Sequence, residues 1–240
     1  MPGQGPGMTS RRIIIAAVAG VIGLAMLLAL GIWQVQRLGE KQALIAEIEE
    51  RLAAPPVALP ADPQPERDRL LRVTVRGRVG AEELHVITSL RPLGAGYRVI
   101  SPFTLDDGRR VLLDLGYVPQ DMKDPASRPP QGSAGVTQVT GVLLWPRETD
   151  GFTPEPDLDR NIWFARNVET MADALETEPL MIVAESHGLG EWPRPVPPGV
   201  DLPNRHLEYA LTWFGLAIAW AVMTVLFIRT ELHGRPPPRL

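Results

Sequence analysis

From Ile13 to Ile32 the chain carries no charged residue, and from His206 to Ile228 only Glu208 interrupts a second apolar run. At about 1.5 Å of rise per residue, either run can cross a hydrocarbon core of about 30 Å. The pattern predicts transmembrane helices over 13–35 and 206–228, with 36–205 as one extracytoplasmic domain between them. The first run outlasts the core of a cleaved secretory signal, about 7–15 residues. It ends in Gly31-Ile32-Trp33-Gln34 rather than a small-x-small cleavage site, so it reads as a retained anchor with Trp33 at the interface.

Beyond Trp33 the helical period continues. Leu38, Leu44, Ile45, Ile48 and Leu52 alternate with Glu40, Lys41, Glu47 and Arg51, giving a helical extension over 36–54 that Pro55-Pro56 stops. A Pro-rich linker, 55–65, follows, and the period then changes to two. Leu71–Val79 and Leu84–Ser89 read as strands. Tyr97–Leu105 and Arg109–Val118 read as a hairpin around Asp106-Asp107-Gly108. Val136–Trp145 and Leu180–Glu185 complete the set, and Asn167–Glu176 reads as a short helix with an Asn start. Pro125–Pro130 is a loop and 193–203 a second Pro-rich linker back to the membrane. The expected fold class is therefore an α+β membrane protein: two transmembrane helices enclosing a mostly antiparallel β domain with one short helix.

Charge and composition narrow the choices. Arg11 and Arg12 precede the first span, and Arg229, Arg235 and Arg239 follow the second with only Glu231 among them. The excess of basic residues places the tails, 1–12 and 229–240, in the cytoplasm and the domain between them in the periplasm. Arg11-Arg12 directly before the span, with no transit segment, point to a bacterial inner membrane. The net charge of −4 gives no footprint for nucleic acid, and the lack of cysteine excludes disulfides, thiolate catalysis and cysteine-ligated metals.

Enzyme signals are missing: there is no P-loop, no nucleophile elbow, and Gly94-Ala95-Gly96 lacks the third glycine of a dinucleotide site. No catalytic residue is assigned. His85 and His187 stand alone and read as surface or strand polar residues. Glu82-Glu83, Asp106-Asp107 and Asp157/Asp159 read as solvated turns. The second span differs. His206 begins it, with Tyr209, Ala210 and Trp213 following on the same helical face. An imidazole above aromatic rings suits an axial haem ligand, with Arg205 beside it for a propionate. The same residues also suit an ordinary lipid interface, where Arg205 would snorkel.

The two membrane-flanking segments together resemble the Surf1/Shy1 family. Gly31-Ile-Trp33-Gln34-Val-Gln-Arg37, with Lys41 and Leu44-Ile45, is similar to that family's exit from its first span. Pro203-Asn204-Arg205-His206-Leu-Glu-Tyr209-Ala210-Leu-Thr212-Trp213-Phe214 is similar to its Asn-Asn-His-Leu-x-Tyr-Ala-x-Thr-Trp-Phe segment. Gly96-Tyr97 through Pro102-Phe103, Gly116-Tyr117-Val118-Pro119, and Phe152 through Asn161-Ile-Trp163-Phe164-Ala-Arg166 match interior pieces in order. The resemblance runs from about Gly31 to Phe227. Arg205 departs from the usual second Asn, Leu115 from Arg, Tyr117 from Trp and Asn167 from Asp.

The resemblance implies an assembly factor, not an enzyme, for the haem–copper cytochrome c oxidase of the respiratory chain. It would hold haem a transiently, take it from the haem a synthase, and help place it in the catalytic subunit. His206 would be the iron ligand, with Tyr209 and Trp213 lining the pocket. Trp33 and Gln34 would close its other side, and Asn204 and Arg205 would hold the propionate end. The alternative keeps the family and drops the cofactor: a structural chaperone that stabilises the early catalytic subunit.

Overall fold

The computed structural model describes residues 6–129, 135–199 and 204–233. Pro130, Pro203, Arg235 and Arg239, which figure in the sequence reading, lie outside them. The chain divides into two compact units: Met1–Ala46 with Asp201–Leu240, and Glu47–Val200.

The first unit holds the apolar runs. Helix α1, Pro6–Ala53, is 48 residues long, and helix α4, His206–Leu232, is 27 residues long. Both are long and apolar enough to cross a membrane. Helix α1 continues unbroken through the amphipathic stretch after Trp33 and stops two residues short of Pro56.

The second unit is built on strands β1 (Val57–Ala58), β2 (Arg72–Val79), β3 (Leu84–Leu90), β4 (Gly94–Leu105), β5 (Arg110–Pro119), β6 (Thr137–Leu144) and β7 (Glu178–Ser186). It also has a one-turn helix α2 (Pro65–Asp68) and helix α3 (Val168–Leu175). The strands run β1-β2-β6-β7-β5-β4-β3, and a further pairing of β2 with β4 closes five of them into a barrel. All pairings among the long strands are antiparallel except β5 with β7.

Closure depends on β2 changing partner. It pairs with β6 from Arg72 to Gly77, and with β4 from Gly77 to Val79. At the crossing, a Cβ on Gly77 would sit 2.2 Å from the Thr104 carbonyl oxygen. Only a residue without a side chain lets the two backbones meet there.

Alternation sorts the side chains into two cores. Val73, Val75, Val99, Phe103, Val111, Leu113, Leu115, Val139, Leu143 and Ile182 form the barrel interior. Residues on the opposite face, including Ile100, Leu112, Met181 and Val183, pack beneath Met171, Ala172 and Leu175 of α3 together with Leu84, Val86 and Trp163. Strand β5 is therefore buried on both sides, which accounts for its near-continuous apolar run. Asn167 caps α3 as its sequence suggests: its Oδ1 accepts from the Glu169 and Thr170 amides at 3.1 and 3.3 Å.

Candidate functional site

In the first unit, α1 and α4 run antiparallel in close contact. A Cβ on Gly23 would lie 2.5 Å from the Trp220 indole, and one on Gly31 would lie 2.6 Å from the Phe214 ring. Trp220 Nε1 donates to the Gly20 carbonyl at 3.0 Å. Ala210 and Ala217 are buried on the facing side of α4. Such small residues let helices approach where lipid supplies no hydrophobic drive.

This seam ends at a polar pair. His206, the first residue of α4, donates from Nδ1 to Gln34 Oε1 at 2.8 Å. Gln34 is only 8 % exposed. A carbonyl oxygen can only accept, so Nδ1 carries a proton, and in the neutral ring Nε2 is the nitrogen with the lone pair. Outward of the pair lies a groove of about 350 Å³ lined by Trp33, Arg37, Glu40, Lys41, Leu44 and His206. Trp33, Arg37 and Lys41 are spaced at i, i+4 and i+8 along α1, so they form one row on one face. Arg37 pairs with Glu40 at 2.6 Å and lies over the Trp33 ring, 5.8 Å from its centroid. Lys41 is half-buried and makes no ion pair among the described residues.

Of the site residues named from sequence, the structure brings Trp33, Gln34 and His206 together. Tyr209 and Trp213 do not line the groove. Tyr209 is 53 % exposed and Trp213 half-buried, on the flank of α4. Arg205 is exposed and caps nothing with its side chain, while Asn204 Oδ1 is buried without a partner among the described residues. The sequence reading assigns Arg37 and Lys41 to the helical continuation and the family-like segment, not to the site. Their i, i+4 relation to Trp33 was the available signal.

Two sequence readings in the barrel unit need correction. His187 is not a surface residue: it is 2 % exposed, donates from Nε2 to the Pro193 carbonyl at 2.8 Å, and accepts at Nδ1 from the Leu189 amide at 3.1 Å. Burial holds its pKa below the usual 6.5, against the raising effect of the Pro193 and Leu115 carbonyls. Glu83 is not a solvated turn residue. Arg128 donates to both its oxygens, at 2.7 and 2.9 Å, and His85, also buried, contacts it at 3.1 Å. Burial pushes the Glu83 carboxyl up, but the bonds from His85 and Arg128 outweigh that and hold it below the ordinary range.

A second buried carboxylate, Asp114, is fully enclosed. It accepts from Arg98 Nε at 2.8 Å, Arg166 Nη1 at 3.2 Å and the Gly116 amide at 3.0 Å. Arg166 also pairs with Glu148, and Arg98 with the Val196 carbonyl. Every charge in these clusters has a protein partner, so they read as structure. No group of three metal-ligating side chains occurs among the described residues. The imidazole of His206 thus shares its groove with an indole, an aliphatic side chain, two cations and one carboxylate.

Two helices long and apolar enough to cross a membrane, one before and one after a barrel unit in the sequence, define the class: a two-helix membrane protein with a single β domain. The profile of the SURF1 family matches residues 21–218. Mouse Surfeit locus protein 1 is 34 % identical over 208 residues, covering 79 % of this chain and 68 % of its own. The human protein of that name is 33 % identical over 232 residues, covering 86 % and 74 %. A SURF1-like protein of Rickettsia felis is 26 % identical over 223 residues, covering 88 % and 96 %. The chain belongs to the SURF1 family.

Proposed function

We propose that this chain is a membrane-anchored factor in the assembly of cytochrome c oxidase, and that it carries haem a as cargo at His206. Family membership supports the oxidase role. One observation supports the cargo: Gln34 fixes the His206 tautomer with Nε2 free to ligate. A hydrogen bond on the second ring nitrogen orients an imidazole ligand and raises its basicity. The residues fit a haem in kind. Trp33 and Leu44 offer apolar surface to a macrocycle, and the groove is open on one side, which suits release.

Haem a would supply an iron that accepts a nitrogen ligand; His206, Trp33 and Leu44 would bind it, orient it and leave it chemically unchanged. The helices α1 and α4 anchor the chain in a bacterial inner membrane with both tails cytoplasmic and the barrel unit periplasmic. The partners on this reading are the haem a synthase, the oxidase catalytic subunit and membrane lipid.

The test is the absorption spectrum of the detergent-purified protein co-produced with a haem a synthase, beside His206→Ala. A Soret band with a haem a signature, lost in the variant, is expected. Colourless protein that still co-purifies with the catalytic subunit would replace the carrier with the cofactor-free chaperone.

A further inference from the structure

We infer that Lys41, with Arg37 beside it, is the site that receives a carboxylate of the cargo, in place of Asn204 and Arg205. The inference rests on the haem reading above and specifies how the cargo is oriented.

Three observations carry it. First, Arg37 and Lys41 line the same groove as His206, whereas Arg205 and Asn204 do not. Second, the two cations differ in what they already hold. Arg37 is engaged by Glu40 and by the Trp33 ring, while Lys41 is half-buried beside Leu44 and makes no ion pair among the described residues. A partly desolvated ammonium without a partner is costly, and an incoming carboxylate relieves that cost.

Third, the spacing is right. Lys41 lies seven positions beyond Gln34 on one continuous helix, about 10 Å along the axis from the level of the His206 imidazole. That span is comparable with the reach from a porphyrin centre to the carboxylate of a propionate arm. The groove therefore has polarity along its length. Its imidazole and indole lie at the end nearer the uncharged run, and Arg37, Lys41 and the Arg37-paired Glu40 at the other, leaving one positive charge in excess. An amphiphilic macrocycle enters with its carboxylates leading away from the apolar run, which fixes the face and edge it presents for transfer.

The experiment titrates haem b, and separately its dimethyl ester, into the full-length protein in neutral detergent, following the Soret shift. The proteins are the parent, Lys41→Gln, Lys41→Arg and His206→Ala. The parent should bind haem more tightly than the ester. Lys41→Gln should weaken haem binding roughly fivefold, the range of one partly exposed ion pair, with the Soret maximum unmoved and ester binding unchanged. Lys41→Arg should restore the affinity. A His206-dependent Soret shift with haem and ester equally affected, or equally unaffected, by Lys41→Gln would overturn the carboxylate site and leave the haem reading intact. No His206-dependent shift in the parent would overturn both.

Discussion

Replacing Asp114 by alanine should be among the most damaging single changes to the barrel unit. The carboxylate is completely buried, and Arg98 and Arg166 around it are 11 % and 18 % exposed. Removing one member of such a cluster strands buried charge, at a typical cost of about 3–5 kcal/mol. Here each arginine keeps one other acceptor, Val196 O for Arg98 and Glu148 for Arg166, which places the loss near the lower end, about 3 kcal/mol. For a unit of this size, each kcal/mol moves the melting temperature by about 2–4 °C, so the expected drop is roughly 6–12 °C. Asp114→Asn keeps the volume and one acceptor, and should fall between alanine and the parent. Glu148→Gln is the internal comparison. Glu148 is 44 % exposed, so its loss should cost under about 1 kcal/mol. Thermal unfolding of the full-length protein in detergent, followed by near-ultraviolet circular dichroism, reads all three. A shift for Asp114→Ala no larger than that for Glu148→Gln would refute the assignment of Asp114 as the keystone of this cluster.

Other expectations test different parts of the molecule. Gln34→Leu removes the acceptor for His206 Nδ1 while leaving the ligand, and should weaken haem binding about 10–100-fold in the same Soret titration; unchanged affinity would mean that the tautomer is not set by Gln34. His187 has a folded pKa below 6.5, so the unfolded chain takes up the proton first. Its contribution is therefore full above about pH 6.5 and is lost as the pH falls below it. Urea midpoints at pH 7.5 and 5.5 should show a larger acid loss for the parent than for His187→Gln, and equal losses would contradict this reading. Because the chain has no cysteine, single cysteines report topology cleanly. Phe152→Cys should react with an impermeant maleimide on intact spheroplasts and Leu232→Cys only after permeabilisation, and the reverse pattern would invert the proposed orientation.

The elements were legible where a local period writes them. The alternation of Leu71–Val79 is β2, the Asp-Gly turn joins β4 to β5, and Asn167 begins α3. Closure was not legible, because it rests on backbone approach at Gly77, and a lone glycine in a strand pattern says nothing about which distant strand comes near. The parallel pairing of β5 with β7 and the two-residue β1 inside the Pro-rich linker were hidden for the same reason: pairing is non-local. The buried charges were invisible too. Asp114 meets Arg98 across a strand pair and Arg166 from fifty-two positions away, and neither separation has a sequence signature. At the site, the nearness of His206 to Trp33 and Gln34 follows from the helix-to-helix match, whereas the groove runs along α1 rather than down α4. The aromatic face of α4 drew the sequence reading to Tyr209 and Trp213, while every groove residue except His206 comes from the other helix, from Trp33 and the amphipathic continuation after it.

The partner change of β2 at Gly77 has a bearing on the company this protein keeps. A closed circuit of strands offers a neighbour almost nothing to extend. The outer edge of β3 is itself taken up, because Ile87 and Trp163 exchange backbone bonds along it, Ile87 to the Trp163 carbonyl and Trp163 to that of His85. Newly inserted polypeptides present unpaired backbone of their own, and an open sheet beside them would risk templating their aggregation. Any chain that docks on the barrel must therefore do so mainly through side chains, a contact that can form and break without the two backbones becoming knit together.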